Sequence, residues 1–304
     1  MRVFVTGATG YVGSAIVPEL TGAGHQVVGL ARSERAAAAL ADAGAAVHRG
    51  TLEEPDSLRT GAQPADGVIH TAYVHDFSRM QDAGRIDLRA VQVLGDALAG
   101  TGRPLVIASG TALVAPGRLA TEADAPDPRS AGAHRVPSEQ TALSLAGRGV
   151  RSSVVRLSPS VHGEGDHGFV PFLIDIARRH GVSAYIGDGG NRWAAVHRLD
   201  AARLFRLALE GAPAGSVLHG VGDQGVATRD IAAVIGRHLD LPVVSVSRED
   251  AAEHFGWLAA FFGADLPASS ALTRERLGWQ PVHLGLLADL DRGHYFQTLA
   301  EVTG

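Results

Sequence analysis

Three glycines at a regular spacing follow the first apolar run of the chain. The run Arg2–Thr6 predicts a β-strand, and residues 6–13 read TGATGYVG before a helical stretch begins. At such a turn Gly7 permits the tight bend, Gly10 lets the backbone approach a pyrophosphate, and Gly13 permits close packing of the helix. The motif therefore predicts a dinucleotide-binding site. Its predicted contacts are Thr6, Gly7, Gly10, Tyr11, Val12 and Gly13.

The residues after the second predicted strand bear on the choice of cofactor. Sites that prefer NAD usually place an acidic residue there, about 20 residues after the glycines, to bind the ribose 2′-hydroxyl. This chain has Arg32 and Ser33 at that point and no acid. A guanidinium pairs well with a 2′-phosphate, so these residues predict NADP (NADPH) rather than NAD. The alternative is that Arg32 is a solvated arginine that only opens a helix.

The composition excludes several kinds of chemistry. The 304 residues include 27 basic and 32 acidic side chains, and 45% are hydrophobic, which is ample for a buried core. There is no cysteine, and because every basic residue is arginine there is no lysine. Thiol nucleophiles, disulfides and Schiff-base chemistry are therefore excluded. The net charge of -5 and the lack of a basic cluster argue against a nucleic-acid or membrane partner.

The beginning of the chain and its hydropathy bear on localisation. A strand-like run follows Arg2 directly, where a signal peptide would need a longer apolar region. No apolar stretch approaches the roughly 20 residues of a membrane span. We therefore expect a cytoplasmic protein that acts on a small-molecule substrate.

Strands and helices alternate along the first half of the chain. The predicted strands are Arg2–Thr6, Gln26–Ala31, Ala45–His48, Gly67–His70, Leu105–Ser109 and Ser152–Leu157. The predicted helices between them include Ser33–Ala43, Ile86–Gly100 and Ser138–Gly147. Short apolar strands separated by helices are typical of a parallel sheet covered on both faces. The predicted fold class is α/β, a Rossmann-type doubly wound parallel sheet.

The pattern changes after about residue 165. Helices are predicted at Val170–Arg179, Ala201–Leu209 and Arg229–Leu239, and strands at Ala194–Val196, Val217–Val221 and Val243–Val246. We expect residues 1–165 to form an NAD(P)-binding domain, completed by residues 192–222. Residues 166–304 should form mainly a smaller substrate-binding lobe, with the ligand cleft between the two.

Further segments extend the pattern beyond the glycine motif. They are DGVIHTA at 66–72, VIASGT at 106–111, RLSPSVHG at 156–163 and VHRLDAA at 196–202. Together with TGATGYVG they resemble the extended short-chain dehydrogenase/reductases, also called NAD-dependent epimerase/dehydratases, over at least the first 210 residues. The resemblance implies this fold, NAD(P) binding and oxidoreductase chemistry. It adds predicted cofactor contacts at Thr71, Ala72, Ser138, Ser160, Val161 and His162.

The resemblance breaks at the catalytic pair. In that family a Tyr-x-x-x-Lys pair on the helix after the fifth strand moves the proton, and a Ser or Thr on the strand holds the substrate oxygen. Thr111 or Ser109 matches the hydroxyl. Alignment on residues 137–139 puts His134 at the tyrosine position and Ser138 at the lysine position. The chain therefore resembles the atypical members that lack the pair.

Elementary chemistry suggests what replaces the pair. Histidine is the side chain best suited to donate a proton near neutral pH, so His134 is the first candidate. Tyr73 and His75 are alternatives, because the resemblance places substrate and nicotinamide after the fourth strand. His162 and His167 flank a glycine-rich loop, for which we predict no metal site. Several aromatic residues either line the ligand or form core, namely Phe169, Trp193, Trp257, Phe261 and Phe262.

The predicted function is an NADP-dependent oxidoreductase acting on a small, largely apolar carbonyl compound, alcohol, imine or enone. Two alternatives stay open. One is a redox-neutral isomerase, dehydratase or cyclase on the same fold, and the other is a non-catalytic NAD(P)-binding sensor. Net consumption of NADPH would distinguish the oxidoreductase from the redox-neutral enzyme. The alanine-rich helices also permit a homodimer.

Overall fold

The computed structural model describes residues 1–74, 79–114, 116–130 and 132–297. Its strands are β1 (Arg2–Thr6), β2 (Gln26–Ala31), β3 (Ala46–Arg49), β4 (Gly67–His70), β5 (Pro104–Gly110), β6 (Arg151–Leu157), β7 (Ser160–His162), β8 (Ser183–Ile186), β9 (Arg192–His197), β10 (Ser216–Gly220), β11 (Asp223–Ala227) and β12 (Val243–Val246). Seven of them form a parallel sheet in the order β10-β6-β5-β4-β1-β2-β3. The strand order reverses between β1 and β4, as in a doubly wound sheet. The predicted α/β Rossmann-type fold is confirmed.

Helices cover both faces of this sheet and build the lobe beside it. They are α1 (Gly13–Gly22), α2 (Glu34–Asp42), α3 (Pro55–Ala62), α4 (Met80–Leu98), α5 (Val136–Ser144), α6 (Phe169–His180), α7 (Arg198–Gly211), α8 (Thr228–Leu239), α9 (Ala251–Phe255), α10 (Ala259–Phe262), α11 (Ala271–Leu277) and α12 (Leu286–Leu290). Short 3₁₀ turns at Thr111–Leu113 and Ala133–Arg135 follow β5 and precede α5. Both turns lie beside the carboxyl ends of the strands.

The side-chain alternation along β1 shows how one strand feeds two cores. Val3 and Val5 belong to one buried cluster, which also holds apolar side chains of α1 and α7. Phe4 belongs to a second cluster, with side chains of α3 and α4. Because successive side chains of a strand point to opposite faces, this buried strand needs apolar residues at both. The sheet is therefore held between two apolar layers.

Two small sheets lie outside the large one. β11, β9 and β7 form one, and β12 pairs with β8 in the other. A third apolar cluster packs α6 and α8 against β8 and β9. Of residues 192–222, β10 joins the large sheet, whereas β9 belongs to the three-stranded one.

Several element predictions need correction. The sequence prediction lacks the strands β7, β8 and β11. The helix expected from Ile86 begins at Met80, and the strand expected at Ala45–His48 lies one residue later. Within the described residues, no helix combines the length and the apolar character that crossing a bilayer requires.

Candidate functional site

The glycine turn between β1 and α1 is packed backbone against backbone. Gly7 has φ +71°, a conformation that side chains disfavour. A Cβ on Gly13 would lie 1.9 Å from the Gly7 carbonyl oxygen, and one on Gly7 would lie 2.5 Å from the Ala72 nitrogen. Both contacts are too close for any side chain. The spacing of these glycines therefore brings the turn directly against α1 and the segment after β4.

The same turn presents free hydrogen-bond donors. The Gly10 N–H donates to the Gly7 carbonyl at 2.8 Å, whereas the N–H groups of Tyr11 and Val12 have no acceptor among the described residues. No acidic side chain lies in the first turn of α1, and no side chain caps it. A helix N-terminus with free N–H groups attracts anions. These residues fit the pyrophosphate of a dinucleotide.

Thr6 and Thr71 tie the ends of β1 and β4 together. The Thr6 Oγ1 lies 2.6 Å from the His70 Nδ1, and the His70 Nε2 lies 3.1 Å from the Asp87 Oδ1. The Thr71 hydroxyl donates to the Thr6 carbonyl at 2.9 Å, and the Ala72 N–H donates to the Thr6 Oγ1 at 3.4 Å. The Thr6 side chain is buried, so its hydroxyl supports the glycine turn from the interior of the protein. Contacts of these residues with a cofactor stay a prediction.

Arg32 and Ser33 follow β2 and differ in what they bind. The Ser33 Oγ accepts the Ala36 N–H at 3.2 Å and caps α2. Arg32 is exposed, and its guanidinium has no acceptor within the part of the chain that the structure describes. The neighbouring Arg49 instead binds Glu34 at 2.6 Å. Arg32 is therefore a cation at this strand end that is available to a ligand.

Ser109 and Thr111, the two predicted substrate-orienting hydroxyls, have different surroundings. The Ser109 hydroxyl donates to Glu139 at 2.6 Å, and Glu139 pairs with Arg156 at 2.5 Å. All three side chains are buried. The Thr111 hydroxyl is also buried but has no partner among the described residues. A buried, unpaired hydroxyl is costly unless a ligand satisfies it. Thr111 is thus the better candidate to hold a substrate oxygen.

His134, Tyr73 and Arg135 meet where the end of β4 faces the start of α5. The ring centroids of His134 and Tyr73 are 6.2 Å apart. The Arg135 guanidinium carbon lies 4.2 Å from the centroid of the Tyr73 ring, and its Nη2 donates to the Ala108 carbonyl at 2.9 Å. Sequence reasoning did not select Arg135 as a site residue, although it directly follows the position aligned with the family tyrosine. His75, another predicted candidate, lies outside the described residues.

Burial acts in opposite directions on the two candidate proton donors. It raises the pKa of Tyr73 to about 12, against the lowering effect of the Arg135 charge. It lowers the pKa of His134, and the Arg135 charge lowers it further. At neutral pH, Tyr73 therefore keeps its proton and His134 is mainly uncharged. Of the two, Tyr73 therefore carries a proton at neutral pH, while its raised pKa makes it a weaker acid than free tyrosine.

Ser138, at the predicted lysine position, is buried on α5 beside Asp87. Burial alone would raise the pKa of Asp87, but the hydrogen bond with His70 and the Arg135 charge hold it below its usual value. Asp87 is therefore ionised within a buried polar group. The contact of Ser138 with the cofactor stays a prediction.

The residues after β6 line the other side of the turn. The Ser160 hydroxyl is buried without a partner among the described residues, and Val161 packs against the core. The His162 Nδ1 lies 2.8 Å from Asp289, and its ring packs edge-on against His197 at 5.3 Å. Burial, together with the charge of His162, lowers the pKa of His197 to about 4. Across the described residues, no group of three or more histidines and acids has an arrangement suited to a metal ion.

Long-range contacts fasten the loop after β7 to the glycine turn. The Tyr11 hydroxyl donates to the Gly163 carbonyl at 3.1 Å. The Tyr295 hydroxyl accepts the Gly163 N–H and donates to Asp166, each at 3.0 Å. Burial, reinforced by the Asp166 charge, raises the pKa of both tyrosines, so both stay protonated. Sequence reasoning missed Asp166 and Tyr295, because no local signal connects residues so far apart.

The sequence model of the NAD dependent epimerase/dehydratase family matches residues 3–218. The chain belongs to this family. Family membership confirms the resemblance and makes the protein an NAD(P)-dependent enzyme of the oxidoreductase type.

Individual relatives of this epimerase/dehydratase family member cover most of its length. It is 52% identical over 301 residues to an uncharacterized protein of Schizosaccharomyces pombe, covering 97% of this chain and 100% of that protein. It is 31% identical over 229 residues to the 4-hydroxy-2-methyl-3-oxo-4-farnesyl-3,4-dihydroquinoline-1-oxide ketoreductase of Stigmatella aurantiaca, covering 71% of this chain and 67% of that one.

A solved structure shares the fold of this family member. The dTDP-glucose 4,6-dehydratase DesIV of Streptomyces venezuelae, solved with NAD bound, matches with a TM-score of 0.77 and 21% identity. The match covers 97% of this chain and 96% of that one. At this identity the likeness shows the common fold.

Proposed function

We propose that this family member is an NADP-dependent reductase of a small, largely apolar carbonyl compound, or acts on the related alcohol, imine or enone. The observation that carries the proposal is the Arg135 guanidinium over the Tyr73 ring, which follows β4, together with a buried Thr111 hydroxyl after β5 that has no partner among the described residues. The ketoreductase of Stigmatella aurantiaca, as a relative named for ketone reduction, supports this reaction class.

The residues around the glycine turn support NADP as the cofactor. The free N–H groups of Tyr11 and Val12 would hold the pyrophosphate. The exposed Arg32, with no acid beside it at the end of β2, would pair with a 2′-phosphate. An acidic residue at this position would instead favour NAD.

The chain's own residues supply the acid and the orientation. When bound, NADPH would supply a hydride to the carbonyl carbon. As the C=O π pair moves to oxygen, the Thr111 hydroxyl donates a hydrogen bond to that oxygen and Tyr73 transfers its phenolic proton to it. The product is the alcohol, and Tyr73 becomes a phenolate that regains its proton from solvent.

Arg135 provides the positive charge that lysine provides in the usual family pair. Its guanidinium carbon, 4.2 Å from the ring centroid of Tyr73, stabilises the developing phenolate by Coulomb attraction. The hydrogen bond from Arg135 to the Ala108 carbonyl anchors this charge to the end of β5. His134 packs beside the Tyr73 ring and is the second candidate for the acid.

The large sheet would bind NADP, and the smaller lobe would bind the substrate. The proposed partner is a small-molecule substrate in the cytoplasm. We propose neither a nucleic-acid nor a membrane partner. A homodimer through the alanine-rich helices is compatible with this reading.

Two measurements test the proposal together. The first titrates the purified protein with NADPH and with NADH by nicotinamide fluorescence, and we expect selective binding of NADPH. The second measures NADPH consumption on a panel of ketones, imines and enones. Product formation without net NADPH consumption would indicate the redox-neutral alternative. Binding without turnover on any compound would indicate the sensor.

A double-mutant cycle tests the assigned acid. We expect Tyr73→Phe and Arg135→Gln each to lower kcat. If Arg135 acts through Tyr73, the double variant should be no slower than Tyr73→Phe alone. Additive losses would assign Arg135 another role. Arg135→Lys keeps the charge and should recover part of the activity.

A further inference from the structure

Arg198, the first residue of α7, lies beside the glycine turn, and sequence reasoning did not select it. Its guanidinium carbon is 4.9 Å from the centroid of the Tyr11 ring, its Nη1 donates to the Glu164 carbonyl at 2.7 Å, and its Nη2 lies 3.5 Å from the Ser14 Oγ. Ser14 is the second residue of α1. The side chain therefore reaches from α7 to the start of α1, next to the free N–H groups of the turn.

The loop after β7 holds this side chain in one place. A Cβ on Gly163 would lie 3.0 Å from the Arg198 Cγ, and a Cβ on Gly165 would lie 3.6 Å from its Nη1. Arg198 is only partly exposed, and contacts with the loop, the Tyr11 ring and Ser14 restrict it on several sides. Ordering a long arginine side chain costs conformational entropy. Because the protein itself orders Arg198, a ligand that binds it meets little of that cost.

The positive charge of Arg198 has no carboxylate beside it. Among the described residues, no acidic side chain forms an ion pair with Arg198, whereas Arg206 on the same helix pairs with two glutamates. Asp166, from the loop that holds Arg198, instead accepts the Gly168 N–H and the Tyr295 hydroxyl. The first turn of α1 holds no acidic residue either. A fixed cation and the positive end of a helix dipole repel each other, so this arrangement favours an anionic ligand.

We propose that Arg198 binds the pyrophosphate of the dinucleotide, together with the free N–H groups of Tyr11 and Val12. A guanidinium has five N–H donors and pairs well with phosphate oxygens, and within the described residues only two contacts of Arg198 use them. The glycine turn supplies neutral donors, whereas Arg198 supplies a full positive charge. The inference rests on NAD(P) binding, a property of the family to which the chain belongs, and not on the proposed reduction.

The pyrophosphate is common to NADH and NADPH, whereas only NADPH carries the 2′-phosphate proposed for Arg32. The test titrates the full-length protein with both dinucleotides by nicotinamide fluorescence. Calorimetry adds ADP-ribose, which has a pyrophosphate without nicotinamide or 2′-phosphate, and adenosine 2′-monophosphate, which has no pyrophosphate. We expect Arg198→Gln to raise the Kd for NADH, NADPH and ADP-ribose by the same factor, roughly tenfold, and to leave that for adenosine 2′-monophosphate unchanged.

Two further variants separate the contact from the loss of charge. Arg198→Lys keeps the charge and loses the planar pair of donors, so the affinities should fall by less than in Arg198→Gln. Arg203→Gln is the matched control, because Arg203 lies on the same helix and forms no ion pair in the described part of the chain. It removes the same charge and should keep all four affinities. Equal unfolding midpoints would show that each variant is folded.

The outcomes separate this proposal from the proposed function. An unchanged affinity of Arg198→Gln for ADP-ribose would overturn it, as would failure of the unmodified protein to bind ADP-ribose. Equal losses for adenosine 2′-monophosphate, or in Arg203→Gln, would show a long-range effect of net charge and would also overturn it. Equal binding of NADH and NADPH, with both weakened in Arg198→Gln, would support Arg198 and count against the preference for NADP. Absence of turnover on the substrate panel would count against the reductase alone.

Discussion

Two polar regions lie close together at the carboxyl ends of the strands and differ in how their hydrogen bonds are completed. The first, the interior network, joins Ser109, Glu139 and Arg156. Glu139 receives hydrogen bonds from both neighbours, and Arg156 also donates to the Asp124 carbonyl at 2.9 Å. These buried groups are satisfied within the protein.

The second region, the cleft rim, consists of Arg32, Tyr73, Thr111, Arg135 and the free N–H groups of the glycine turn. The Thr111 hydroxyl and the Arg135 Nε are buried without partners among the described residues. An unsatisfied buried polar group costs about 1–3 kcal/mol. The interior network is satisfied within the protein, whereas at the cleft rim the Thr111 hydroxyl and the Arg135 Nε are left as the donors that we propose for a ligand.

Breaking the interior network should have the largest effect. Glu139→Ala leaves the Arg156 guanidinium buried without its carboxylate, which typically costs about 3–5 kcal/mol. We expect the free energy of unfolding in urea to fall by that amount. Glu34→Ala is the control, because the Glu34 side chain is 90% exposed and its pair with Arg49 lies in water. Equal losses in both variants would contradict the distinction.

Removing the proposed acid at the cleft rim should affect activity but not stability. Tyr73→Phe keeps the ring under Arg135 and loses the proton, so we expect kcat to fall by at least about 10²-fold. NADPH affinity and the unfolding midpoint should stay unchanged. The comparison is with His134→Phe, which should retain most activity. If His134→Phe were the slower variant, the roles of the two residues would be exchanged.

Arg32 sharpens the comparison at the nucleotide. Arg32→Ala should raise the Kd for NADPH by roughly tenfold, the value of one charge-assisted hydrogen bond, and leave the Kd for NADH unchanged. Arg59→Ala is the control, since Arg59 is exposed on α3 and paired with Asp56. Fluorescence titration of the unmodified protein and both variants with NADPH and NADH measures the six affinities. An equal loss for NADH and NADPH would show that Arg32 does not bind the 2′-phosphate.

The smallest expected effect is that of pH on reduction. Because the pKa of Tyr73 is raised to about 12, Tyr73 stays protonated between pH 5.5 and 8.5, and kcat/KM should vary by less than about twofold. An imidazolium donor behaves differently. Burial lowers the pKa of His134, so its protonated fraction, and with it the rate, would fall about tenfold per pH unit above that pKa. A profile of kcat/KM against pH distinguishes the two.

The amino-acid sequence by itself determined the strand-helix alternation, the glycine turn and the arginine after β2. Apolar periodicity and the steric freedom of glycine are local properties, which neighbouring residues display directly. The family resemblance identified Thr111, Ser109, His134 and Tyr73 as candidates, and the chemistry of histidine ranked His134 before Tyr73 as the acid.

The tertiary structure alone decided which candidate hydroxyls are satisfied within the protein. Within the described residues, the Ser109 hydroxyl is satisfied and the Thr111 hydroxyl is not, because Glu139, 30 residues after Ser109, accepts a hydrogen bond from Ser109. Arg135 lies over Tyr73 only because the folding of the chain brings the two together. Burial and the charges of distant residues set hydrogen-bond satisfaction and pKa, and neither quantity is encoded at a single position.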